Sequence, residues 1–94
     1  MEASTRTVTR AYLQFISPPG EGLQLEICEA DPQGNLARPN PLARILADDQ
    51  EDHWFELYGP DGTMVRIPLV EIERAIVAAR PDVHGEAWYG RPKD

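Results

Sequence analysis

His53-Trp54-Phe55-Glu56-Leu57-Tyr58-Gly59-Pro60-Asp61-Gly62-Thr63-Met64-Val65-Arg66-Ile67, running on through Pro68 to Ala79, carries three structural instructions in succession. Residues 53–58 and 63–67 alternate in polarity with the period of two that a half-buried strand requires. Phe55 and Leu57 share one side, with Val65 and Ile67 opposite them. Gly59-Pro60-Asp61-Gly62 supplies the chemistry of a tight turn between them. Pro68 then opens a helix reaching to about Ala79. Its stripe of Leu69, Ile72, Ile76 and Ala79 is spaced at three, four and three residues, flanked by Val70 and Val77. Glu71 and Glu73 early and Arg80 late suit the helix dipole, and Pro81 ends the helix. The expectation is an α+β domain whose helix covers the apolar face of a small antiparallel sheet. Burial of Leu69, Ile72 and Ile76 would then contribute about 1.5–3 kcal/mol each.

Upstream, a second hairpin is legible. In Thr7–Ile16, Ala11, Leu13 and Phe15 alternate with Arg10, Tyr12 and Gln14. Ser17-Pro18-Pro19-Gly20-Glu21-Gly22 breaks the chain. Leu23, Leu25 and Ile27 then fall on one face, with Gln24, Glu26 and Cys28 on the other, wet one. Asp31-Pro32-Gln33-Gly34 is a turn signal, and residues 35–40 read as loop. Over 41–47 two readings stay open. Asn40-Pro41 offers an N-cap and a first-turn proline for a short second helix near Pro41–Ala47, with Leu42, Ile45 and Leu46 on one face. Asp48 and Asp49 would sit badly at its C-terminus, and a short strand through Arg44–Ala47 competes with it. Val83–Tyr89 offers one last strand. The sum is four to five strands in two hairpins, one domain over 1–94, with flexible tails at 1–5 and 90–94.

The 94 residues, 41% hydrophobic and 27% charged, suit an ordinary globular chain with one core. A core this small leaves a thin stability margin that a second copy can share, so a homodimer stays open. No apolar run approaches the roughly 20 residues of a membrane span, and no secretory leader follows Met1, so a cytoplasmic location is expected.

The formal charge is −7. Between Glu21 and Asp61 it is concentrated further. Glu21, Glu26, Glu29, Asp31, Asp48, Asp49, Glu51, Asp52, Glu56 and Asp61 face only Arg38 and Arg44 there, a local charge of −8. Nucleic-acid phosphates would be repelled, so direct nucleic-acid binding is not expected.

Catalysis needs a nucleophile, base and orienting group brought together, or a metal with several ligands. His53 and His84 stand in no ligand spacing with each other or with Cys28, the single cysteine. Cys28 reads as a small strand residue and permits no internal disulfide. The cluster Asp48-Asp49-Gln50-Glu51-Asp52 lacks the alternating ligands and glycine of a calcium loop. No enzyme, cofactor or metal is expected. The acidic cluster is either a solvated loop or an electrostatic docking surface. Trp54 beside it is either a core residue or an interface anchor.

The run Asp61-Gly62-Thr63-Met64-Val65-Arg66-Ile67-Pro68-Leu69, its helix, Arg80-Pro81 and then Trp88 resembles the C-terminal part of small immunity proteins from bacterial polymorphic-toxin systems. The resemblance covers about a third of the chain and assigns no toxin contact. It implies a non-enzymatic inhibitor, and an acidic face would suit a basic target. The expected function is a non-catalytic protein-binding factor of inhibitor or immunity type. It would dock on a basic protein surface through Asp48, Asp49, Glu51, Asp52, Trp54 and Glu56. Two alternatives are a self-associating structural or accessory subunit, joined by a sheet edge or the Val70/Val77 flank, and a phage-type inhibitor imitating nucleic-acid charge.

Overall fold

In the computed structural model, which describes residues 6–91, five strands follow one another as an antiparallel meander. They are β1 (Ala11–Ile16), β2 (Gln24–Glu29), β3 (Ala43–Ala47), β4 (His53–Tyr58) and β5 (Met64–Pro68). A helix, α1 (Leu69–Asp82), and a single helical turn, α2 (Glu86–Tyr89), complete the chain. The α+β class, the two hairpins and the main helix are as the sequence implies. Of the expected tails at 1–5 and 90–94, residues 1–5 and 92–94 lie outside the described residues, and Gly90 is the C-cap of α2.

The open question at 41–47 resolves as a strand. Arg44 stands opposite Glu26 on one side and Glu56 on the other, partners that a helix at this position could not meet together. The expected strand over Val83–Tyr89 is corrected to the turn α2. There the His84 and Trp88 rings stack with centroids 3.9 Å apart, and Trp88 N–H donates to the Gly85 carbonyl at 3.0 Å. An extended backbone would separate these side chains. Pro81 lies within the last turn of α1 rather than beyond it. It cannot donate the bond to the Val77 carbonyl that its position calls for, and the helix ends one residue later. Val83 N–H still reaches the Ala79 carbonyl at 2.7 Å, and His84 Nε2 donates to the Pro81 carbonyl.

The largest departure concerns cover. No residue of α1 is buried; Ile76 is 47% exposed and Val77 72%. The helix therefore does not cover the sheet as expected. The cause is local: β5 ends at Pro68 and α1 begins at Leu69, with Pro68 itself extended (φ −55°, ψ 133°). Turning a helix back over its own sheet takes a connection of about 2–6 residues. Here there is none, so α1 leaves the sheet where β5 leaves it. The long axis is accordingly 57 Å and the radius of gyration 16.9 Å, against about 12 Å for a compact chain of this length.

The faces of the sheet are also reversed in accessibility. The apolar side, including Leu13, Phe15, Leu25, Leu57 and Val65, is largely open, with Phe15 68% exposed. The side expected to be wet holds the most deeply buried large side chains, Gln24, Glu56 and Cys28.

The loops after β3 and β4 share one backbone solution. In the loop after β4, Gly59 N–H donates to the Thr63 carbonyl (2.8 Å) and Gly62 N–H to the Gly59 carbonyl (3.2 Å), with Gly62 at φ +84°. After β3, Asp48 N–H donates to Asp52 (2.9 Å) and Glu51 N–H to Asp48 (3.0 Å), with Glu51 at φ +64°. This is a type I turn closed by a left-handed residue, a position that favours glycine. A Cβ at Gly62 would meet nothing within 4 Å, so only backbone strain opposes it. Gly62→Ala is expected to cost about 1 kcal/mol in urea unfolding, and Glu51→Gly to stabilise by somewhat less, since the unfolded chain gains freedom.

Candidate functional site

The antiparallel registers place Gln14, Glu26, Arg44, Glu56 and Arg66 abreast on one face, one from each strand. Their side chains bond in two groups, Gln14 with Glu26 and Arg44 with Glu56 and Arg66. Gln14 Nε2 donates to Glu26 Oε1 at 2.8 Å. Arg44 donates through Nε to Glu56 Oε1 at 2.6 Å and through Nη1 to Gln24 Oε1 at 2.9 Å. Arg66 Nε donates to the other Glu56 oxygen at 2.8 Å, with a second bond from Nη2. Glu56, only 1% exposed, is thus gripped from both neighbouring strands. Burial alone would raise its pKa, but the hydrogen bonds and charges of Arg44 and Arg66 prevail and hold it below the usual carboxylate range.

The six expected docking residues therefore separate. Glu56 faces this ladder, with both oxygens occupied. Asp48 is also committed. Its Oδ2 accepts from Trp54 Nε1 at 3.0 Å, and its Oδ1 accepts from the backbone N–H of Gln50 and Asp52. Those bonds, the indole N–H first, hold its pKa below the usual range. Trp54 is half-buried, with Arg66 over its ring at 5.7 Å, so both its polar edge and one face are engaged. Asp49, Glu51 and Asp52 are exposed at the loop tip with their carboxylates free of side-chain partners among the described residues.

A meander puts alternate connections at the same end of the sheet, so this tip neighbours the β1–β2 connection. Glu21 from that connection and Asp48, Asp49 and Glu51 border one open depression of about 660 Å³, with Gln24 and Arg66 also lining it. Sequence reading missed Glu21 as a member, since it is 27 residues from Asp48; the spacing of two successive hairpins was the signal that could have found it. Gln24 Nε2 is buried there without a protein acceptor, while its Oε1 is held by Arg44.

The chemically reactive groups do not gather. Cys28 is fully buried, and burial, with Glu26 nearby, pushes its thiol up and keeps it protonated. His53 is exposed at the start of β4, and His84 lies beyond α1. Among the described residues, no three His, Cys, Asp or Glu side chains stand close enough to share a metal ion, and no helix is long and apolar enough to cross a membrane.

Because Glu56 and Asp48 are depressed, their contribution to stability is complete above the ordinary carboxylate pKa and disappears as pH falls through their folded values. Stability is expected to be flat down to about pH 5 and to fall steadily below about 4.5. Glu56→Gln should flatten that acid limb in denaturant melts recorded across pH. At neutral pH Glu56→Ala should cost about 2–3 kcal/mol, less than a sealed ion pair because Arg66 is half exposed. Compared with family models, curated proteins and solved structures, the chain matches none.

Proposed function

We propose that this chain is a non-catalytic protein-binding factor of the inhibitor or immunity type, which takes a basic protein surface at the acidic end of its sheet. The observation that carries this reading is the convergence of Glu21 with Asp48, Asp49 and Glu51 around one open depression. Two features support it. Asp49, Glu51 and Asp52 are exposed and spend their charge on no side chain among the described residues, so their field extends into solvent. Glu51 also occupies a left-handed corner where glycine would be the easier residue, so charge stands there against backbone preference.

Basic side chains elsewhere are largely engaged. Arg44 and Arg66 grip Glu56, and Arg6 and Arg38 lie against Glu29, whose strand end is away from the acidic depression. Negative potential at one end would speed encounter with a positive partner and fix its orientation, with modest affinity from each rim charge.

The triple variant Asp49→Lys, Glu51→Lys, Asp52→Lys tests this. None of the three is held by a side chain among the described residues, so the sheet should remain folded. Partners captured from the native host by the parent chain at low salt should be lost both by this variant and at high salt. Equal capture by the parent and the variant would remove the acidic end from the function.

A further inference from the structure

Two apolar surfaces in this chain lack partners, and each has the shape the other needs. On the apolar sheet face Leu13, Phe15, Leu57 and Val65 are exposed, while Leu25 and Ile45 at its centre are half-buried. Within the strands, its only ionisable side chains are Glu29 and His53, both at strand ends. The helix α1 presents Leu69, Ile72, Ile76 and Ala79, flanked by Val70 and Val77; Ile76 and both valines are exposed, the other three half-buried. Its opposite side is polar, where Arg74 lies 3.3 Å from Glu71. The direct passage from Pro68 to Leu69 leaves α1 beside β4 and β5 without laying it across the apolar face of its own sheet.

We propose that the chain is a homodimer in which α1 of each copy lies across the apolar sheet face of the other. A second copy is the occupant because it alone brings a bare helix and a bare sheet in equal number, so a two-fold arrangement satisfies all four surfaces at once. Dimensions agree: 14 residues of helix are about 21 Å long, and five strands span about 19 Å between the outer two. Areas agree as well. The chain exposes 7895 Å². A folded monomer of 10.5 kDa exposes about 5,400 Å². Removing the excess of about 2,500 Å² from two copies falls in the range of obligate homodimer interfaces, about 2,000–5,000 Å². A missing loop between two elements is also the condition under which an element is exchanged between copies. This interface centres on the apolar sheet face and α1 and meets the acidic end only where Leu69 and Val70 border a depression shared with Glu51 and Asp52, and its test reads a separate property.

Sedimentation and light scattering of the pure chain test the state, and nuclear Overhauser contacts in a mixture of isotope-labelled and unlabelled chains test the arrangement. At about 100 μM the chain should run at twice its 10.5 kDa mass. Methyl groups of Ile72 and Ile76 in one copy should contact Leu13, Phe15 or Val65 of the other. Phe15→Asp and Ile76→Asp should each weaken the dimer at least 100-fold while leaving the Asp49, Glu51 and Asp52 tip intact. If either variant unfolds, the cross-chain contacts in the unaltered protein decide alone. A monomer at that concentration overturns the proposal, as does a dimer joined edge to edge without cross-chain contacts from α1.

Discussion

The junction at Pro68 governs the molecule. A strand that becomes a helix without an intervening residue fixes the direction in which the helix departs. Here that direction carries α1 off the sheet. The open apolar face, the extended outline and the incompletely covered helical stripe all follow from it. With no helix layer above them, the strands must draw more of their cohesion from within the sheet. The face that carries the cross-strand ladder is where this happens.

On that face a carboxylate substitutes for a hydrophobic core residue. Glu56 is enclosed because Arg44 and Arg66 arrive from either side at the same register, their aliphatic stems covering what their guanidinium groups hold. Ion pairs of this kind tie register to charge. A one-residue slip would send Glu56 to the apolar side and leave two arginines facing nothing, so the pairing is specified by more than hydrophobic pattern. Asp48 does similar work at the loop, tying the indole of Trp54 to the turn that leads into its strand.

How much of this was legible from residues alone depended on the range of the determining interaction. The hairpin over 53–67 was readable because its turn and its alternation are local and agree. The stretch 41–47 was not, because its state is decided by Gln24 and Glu56, which lie well away in the chain. Of the acidic cluster, the composition was visible but the division of labour was not. Asp48 and Glu56 look like their exposed neighbours until Trp54, Arg44 and Arg66 are placed around them. The covering helix was misjudged for a different reason. Its apolar stripe was read correctly, yet where a stripe is buried depends on the length of the connection before it. The absence of any connecting residue between Pro68 and Leu69 decides that. The last segment misled because aromatic residues favour strands in general, while His84, Trp88 and Tyr89 here pack on one another.

The sequential order of the strands has a kinetic consequence. Each strand pairs with its neighbour in the chain, so every sheet contact closes a short loop. Such a sheet can assemble by successive zipping, early and independently of concentration. The helix touches only β4 and β5 of its own sheet, so in the proposed dimer most of its apolar stripe would gain contacts only afterwards. Folding of this chain would then divide in time into a fast event within one molecule and a slower, second-order event between molecules.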